Sequence, residues 1–267
     1  MSLETQVTAL VSAANNLTSE VANKMKGIDN KVDQATQAVP DAVRSLASQR
    51  FVVDQERGDD NNNGSQSSPL KSFDEAIKRT PVSNVCLITL VGNYHSDASI
   101  PYGCDLYITG LEVGSSNPRD IPKITFGTWV TRVQSTGKDY LRVGGFVPET
   151  NNIIAFRDVK IVMPDDSIDP TALKNSFSSV IRHRLAEATA SISIVLIDCT
   201  VERPLNPSHT LIGAGYVITL AVRAIQVNGE PMEGWWWDGG PGGPLRVDGG
   251  TDSKTVANLV KTNLELI

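Results

Sequence analysis

The sequence predicts a mainly β protein, in which an N-terminal α-helical coiled coil precedes a short β-solenoid. Three observations carry that expectation. A narrow apolar stripe with heptad spacing runs through the first forty residues. After residue 80, short β-branched runs alternate with turn residues. Three of those runs share one eight-residue pattern.

The stripe comes first. Leu3, Val7, Leu10, Ala14, Leu17 and Val21 follow one another by steps of four and three, and Met25, Ile28, Val32, Ala35 and Val39 continue the rhythm. Its one irregularity is a second consecutive step of four, from Val21 to Met25, which is a stutter. Polar residues fill the faces between. So thin a stripe cannot seat a helix in a globular core, and it fits copies of the same helix instead. The expected self-association residues are Leu3, Val7, Leu10, Leu17, Val21, Met25, Ile28 and Val32. With Leu10 and Leu17 at d, the a positions hold Val7, Val21, Val32 and Val39. β-branched a with Leu d favours two parallel strands, although Ala14 and Ala35 dilute that preference. As a helix, residues 3–39 are roughly 55 Å long. Pro40 cannot continue the hydrogen-bond ladder and is expected to end the rod. Asp41 to Gln49 then reads as a second short helix with Ala42, Val43, Leu46 and Ala47 apolar.

Next comes a strand at Phe51–Val53, a loop from Gly58 to Gly64 rich in residues that tolerate positive φ, and a short helix. Ser72 and Glu75 form a capping-box pattern ahead of that helix. Phe73, Ala76 and Ile77 lie on its apolar face, which suits it to plug the end of a solenoid and cover exposed strand edges.

The strand-length runs are Cys86–Val91, Asp105–Thr109, Lys123–Phe126, Asn152–Phe156, Ser191–Ile197 and Tyr216–Val222. Leu106–Val113, Ile154–Ile161 and Ile194–Val201 are each apolar at positions 1, 3, 6 and 8. Gly or Asp stands at position 5, where the parity switches. Each copy therefore reads as two inward-facing strands joined by a one-residue bend, and Ile88–Gly92 repeats the first half. The copies start 48 and 40 residues apart, which is taken as two turns each. Hairpin dipeptides are sparse, which disfavours a β-sandwich. Residues 170–188 are ambiguous between helix and strand. Val256, Leu259, Val260, Leu264 and Ile267 have helical spacing, with Thr251 and Asp252 as N-cap candidates. The expected organisation is a coiled-coil attachment rod at 1–49, leading strand, loop and capping helix at 50–81, a β-rich domain at 82–228, and a C-terminal cap or tip at 229–267.

A strand, the loop "G-D-D-N-N-N-G", then "S-P-L-K-S-F-D-E-A-I" and a series of β-runs resembles the start of the pectate-lyase-like β-helix in tail fibres and tailspikes of tailed bacteriophages. A preceding heptad rod is also typical of virion fibres. The resemblance covers residues 1 to about 110 closely and the remainder only in style. It implies a right-handed parallel β-helix and a homotrimer, three chains where the a/d pattern alone favours two. It further implies a virion location on the tail after assembly in the host cytoplasm. The rod would attach to tail baseplate proteins, and the far end would meet a host-surface glycan or a distal fibre protein. A depolymerising tailspike and a capsid-mounted head fibre share this architecture.

Composition narrows the chemistry. The chain has 267 residues, 20% of them charged, a net charge of −6 and a pI of about 5.1. A nucleic-acid footprint and a polybasic membrane patch are both missing. No apolar run approaches the ~18 residues of a membrane span, and the N-terminus lacks signal-peptide regions. Cys86, Cys104 and Cys199 are odd in number and form no CxxC, so buried thiols are expected, with no disulfide framework and no metal site. Asp59, Asn61, Asn63 and Gly64 match half of a calcium loop, but Leu70 stands where its closing Glu belongs; a side-chain-stabilised turn fits better. His95, His183 and His209 are scattered, and no hydrolase motif or phosphate loop occurs. Asp158 and Asp198 share a repeat position. Two turns apart, they would stack about 10 Å from each other, near the upper end of inverting-glycosidase spacing. No further acids converge on them, so no catalytic residue and no cofactor is expected. Trp235, Trp236 and Trp237, followed by Asp238, are either packing or a platform for stacking on sugar rings, with Asp238 accepting hydroxyl hydrogen bonds. The functional expectation is a non-enzymatic, adhesive tail-fibre subunit.

Overall fold

The computed structural model describes residues 2–111, 121–149, 151–164, 171–173, 178–182, 192–203, 209–213, 218–223, 226–229, 237–238 and 260–262. The chain divides into two compact units, Met1–Ala47 and Ser48–Ile267.

The first unit is one helix, α1 (Leu3–Ala47). It continues through Pro40, so the expected break and second helix do not occur. A proline deletes one intrahelical donor and crowds the preceding turn, which does not oblige a helix to stop when residues on both sides favour it. Glu20 lies one turn before Lys24 at 3.8 Å, the favourable order for a helix-surface pair. Gly27 sits in the middle of the helix, and a Cβ there would meet nothing within 4 Å.

The second unit is mainly β, with one short helix, α2 (Phe73–Arg79). Its principal strands lie in three parallel sheets. The first runs β1 (Ser48–Val53), β2 (Val85–Val91), β5 (Asp105–Leu111), β10 (Ile153–Arg157), β13 (Ile192–Ile197), β16 (Ile218–Arg223), β19 (Val260–Thr262). The second runs β3 (Tyr94–Ser96), β6 (Lys123–Phe126), β11 (Lys160–Val162), β14 (Thr200–Arg203), β17 (Gln226–Gly229). The third runs β4 (Ser99–Tyr102), β9 (Gly145–Pro148), β12 (Ser179–Arg182), β15 (Thr210–Gly213), β18 (Trp237–Asp238). The chain visits the three sheets in turn: β2–β3–β4, then β5–β6–β9, β10–β11–β12, β13–β14–β15 and β16–β17–β18. Each such set is one tier. An antiparallel hairpin, β7 (Thr128–Val133) and β8 (Lys138–Val143), interrupts the second tier around a left-handed Gly137.

The repeat copies pair in parallel, residue for residue. Leu106 faces Ile154 and Ile154 faces Ile194. They are therefore neighbours, and 40 to 48 residues make one tier, not two. The shortest tier, from Val85 to Asp105, shows the basic length, and insertions at the corners account for the rest. Ile154, Phe156, Val159 and Ile161 are all buried, as are Ile194, Leu196, Cys199 and Val201. The first copy departs from its pattern. Leu111 is exposed, and Ile124 takes the place expected of Val113, because residues between β5 and β6 intervene. Ile88 pairs with Ile108 and not with Leu106, a slip of two that keeps every side chain on its face. Strand β12 occupies part of the ambiguous 170–188 stretch. Strand β19 replaces a helix at 260–262, since pairing with β16 outweighs the helical spacing.

The core is a single cluster running through the tiers. Aromatic rings line part of it: Phe73 stacks on Tyr94 at 3.9 Å between centroids, and Phe146 meets Phe73, Phe126 and Phe156 at 6.0, 6.3 and 5.4 Å. Burial pushes the Tyr94 hydroxyl up to about 12, and that oxygen accepts the Phe73 backbone N–H. Phe73, Ala76 and Ile77 of α2 are buried in this same cluster.

The loop before α2 is held by its own side chains. Asp60 accepts from the Lys71 and Ser72 backbone N–H groups and from the Ser72 hydroxyl, each at 2.9 Å. Ser72 caps α2 by accepting from Glu75 N. The reciprocal half of the expected capping box does not form, because Ser72 N is given to Asp60 and Glu75 binds Arg79 at 2.7 Å. Arg79 also donates to the Asn62 and Asp60 carbonyls, tying helix to loop. Its hydrogen bond holds the Glu75 carboxyl below the usual range. Gly64 has φ +77°, and a Cβ would fall 2.5 Å from the Phe51 ring.

Two expectations follow. Gly27→Ala should stabilise α1 by about 0.5–1 kcal/mol, read as a higher helical melting temperature by circular dichroism, because the site is helical, open and exposed. Asp60→Ala should destabilise the β unit by about 2 kcal/mol in urea unfolding, since three donors lose their acceptor at once; a loss below ~0.5 kcal/mol would mean that Arg79 alone holds the loop.

Candidate functional site

The residues expected to act lie in three places, and the structure adds a fourth. The first is the α1 stripe. Leu3, Val7, Leu10, Leu17, Val21, Met25, Ile28 and Val32 are all exposed, from 48% at Val21 to 78% at Leu3. Val11 and Val39 are exposed on the same helix. Scattered apolar side chains are ordinary on a protein surface; here they form a continuous line along one helix.

The second is the pair of bends. Asp158 and Asp198 adopt φ 51° and 52°, the left-handed region, which Asp tolerates better than most residues. Their backbone N–H groups donate to the next tier, to Ile197 O at 3.2 Å and Arg223 O at 2.9 Å. Their carboxylates meet Arg157 at 3.4 Å and Arg223 at 3.2 Å. Being on adjacent tiers, the bends are about 4.8 Å apart, not the ~10 Å expected. The pairing of each carboxylate with an arginine accounts for both as corner residues. Gly110, at the same repeat position, is instead a close-approach site, where a Cβ would lie 2.0 Å from Asp158 O.

The third is the tryptophan run. Trp235 and Trp236 lie outside the described residues. The backbone of Trp237 and Asp238 forms β18, in register with Ile212 and Gly213 of β15.

The fourth was not legible in the sequence. His95 Nδ1 lies 2.8 Å from Thr125 Oγ1 and Nε2 lies 2.8 Å from Asp97 Oδ1. The Gln55 amide grips both backbone groups of His95, accepting from N at 2.7 Å and donating to O at 2.8 Å. This is a hydroxyl–imidazole–carboxylate series on the outer face of the second sheet. About half of the His95 side chain and most of Asp97 face solvent, so water competes for these bonds. The arrangement chiefly fixes edge strand β3, whose free side Gln55 covers. Only the register of β3 on β6 brings His95 to Thr125; nothing local in the sequence announces it.

Arg182 was also missed. It is buried, donates to Ser179 O at 2.6 Å and to Ser99 Oγ at 2.7 Å, and leaves Nε without a hydrogen-bond partner among the described residues. Burial, with Arg142 nearby, pushes its guanidinium down to about 10. The three cysteines are free and buried, and burial pushes Cys199 up to about 11. In the calcium-like loop, Asp59 accepts from the Asn61 backbone and side chain at 2.8 and 2.9 Å, and Asn63 from Ser65 N at 3.0 Å. These are local turn bonds. Among the described residues, no three His, Cys, Asp or Glu side chains gather as a metal site, and no helix is long and apolar enough to cross a membrane.

No family model, curated protein or solved structure matches the chain.

The corner assignment is testable. Asp158→Gly should cost little, whereas Asp158→Ala should destabilise by about 1 kcal/mol or more, because alanine has neither the conformational freedom nor the carboxylate. Equal losses in the two variants, measured by chemical denaturation, would attribute the effect to the Arg157 contact alone.

Proposed function

We propose that the chain is a fibre subunit of the kind found on tailed-bacteriophage tails. In this reading it is homotrimeric, structural and adhesive, not enzymatic, and links the tail baseplate to a host-surface glycan receptor or to a distal fibre protein. It is assembled in the host cytoplasm and carried on the virion tail. One observation carries the reading: a 45-residue helix whose apolar stripe has no partner among the described residues of its own unit. Such a surface is stable in water only when covered, and heptad geometry covers it with copies of itself.

The β unit supports the same reading. Among the described residues, five tiers visit three parallel sheets in constant order, as a right-handed parallel β-helix requires, right-handed crossovers being the rule for parallel strands. In that architecture α2, through Phe73, Ala76 and Ile77, caps the end that begins at β1. The arginine-paired bends Asp158 and Asp198 favour adhesion over a depolymerising tailspike, because they leave that rival without a free acid pair at the repeat corner. Glycan stacking by Trp235, Trp236 and Trp237, with Asp238, belongs to the reading as its proposed receptor contact.

Light-scattering mass of the full chain at micromolar concentration should correspond to three copies, and Leu10→Asp with Leu17→Asp should convert it to monomer. A monomeric wild-type chain would overturn the reading. Gold-labelled antibody should decorate the tail of assembled particles; decoration of the capsid would make the chain a head fibre.

A further inference from the structure

We infer that the α1 helices associate parallel and in register, and that Lys24 of one chain paired with Asp29 of the next fixes that alignment. The inference rests on the self-association proposed above and adds its direction and its specifying residues.

The stutter at Val21–Met25 resets the heptad, so that Met25, Val32 and Val39 are a positions and Ile28 and Ala35 are d. Lys24 then falls at g, beside the a residue Met25, and Asp29 falls at e, beside the d residue Ile28. In parallel, aligned helices a g residue faces the e residue five positions later on its neighbour. Lys24 to Asp29 is that step. Lys31, the next g residue, faces the neutral Thr36 and adds no repulsion.

The free helix leaves these charges available. Asp29 makes no ion pair among the described residues. Lys24 has only a loose 3.8 Å contact with Glu20, whose partners are 75% and 68% exposed. Such an exposed pair contributes little and is readily exchanged. Between neighbouring chains the flanking Met25 and Ile28 side chains, each 59% exposed on the single helix, would be covered. Covering them shields the charge pair from solvent and salt. An antiparallel arrangement does the opposite. There g faces g and e faces e, so Asp29 at e cannot meet Lys24 or Lys31, both at g.

The same geometry excludes slipped parallel alignments. A shift of one heptad moves Lys24 opposite Thr36 or Ala22, neither of them charged, and it mismatches the stutters themselves. Two devices, one electrostatic and one geometric, thus specify a single register.

The test uses the full chain. Lys24→Glu and Asp29→Lys should each weaken self-association by roughly tenfold, and the double exchange should recover most of it. An equimolar mixture of the two single variants should form mixed assemblies in preference to either alone. Orientation is read separately: Leu10→Cys chains should crosslink 10-to-10 on mild oxidation, with the buried native thiols as the unsubstituted control. Failure of the double exchange to recover association removes Lys24–Asp29 as the specifying pair. An oligomer that crosslinks Leu10→Cys only to Val39→Cys is antiparallel and overturns this inference while leaving self-association standing. A wild-type monomer overturns both.

Discussion

Parallel pairing between tiers is the constraint on which the β unit depends. Strands of two to seven residues have too few hydrogen bonds to persist alone, and parallel neighbours in adjoining tiers hold them. The interior must therefore repeat in register, because one misplaced residue turns a whole strand inside out. Ile154 over Leu106 and under Ile194 expresses that requirement. The corner residues serve it as well: Asp158 and Asp198 turn the chain through a left-handed conformation while passing their N–H groups to the next tier.

A stack of tiers has ends, and the first end carries much of the specific chemistry in the molecule. Tyr94 and Phe73 stack face to face, Gln55 covers the free side of β3, and Asp60 and Arg79 bind the preceding loop to α2. The helix itself is only seven residues long and would not be stable in isolation. Its position follows from burial of one apolar face and from hydrogen bonds that converge on its first turn.

Much of this was legible in the sequence, and the limits have physical causes. Strand existence and inward positions could be read because apolar alternation is local: 154, 156, 159 and 161 were placed from spacing alone. Tier length could not be read from three copies, since insertions at corners double the spacing without altering the pattern. Strands of three or four residues, such as β3 and β4, carry too little periodicity to notice. The β7–β8 hairpin turns at Thr136-Gly137, outside the favoured two-residue signals. Pro40 does not end α1, because a missing donor is a cost and not a prohibition. The His95, Thr125 and Asp97 contacts depend on cross-strand register, which no single segment encodes. Arg182 gave no signal either, since burial of a charged end-of-strand residue depends on what packs above it.

The β7–β8 hairpin leaves the second tier after β6 and returns at β9 without disturbing the partners of either strand: Ile124 still faces Ile161, and Phe146 still faces Ile181. Architecture and surface are thereby separable in inheritance. A lineage can lengthen, exchange or delete a corner excursion and alter what the protein touches, while the column of inward side chains passes unchanged from one variant to the next.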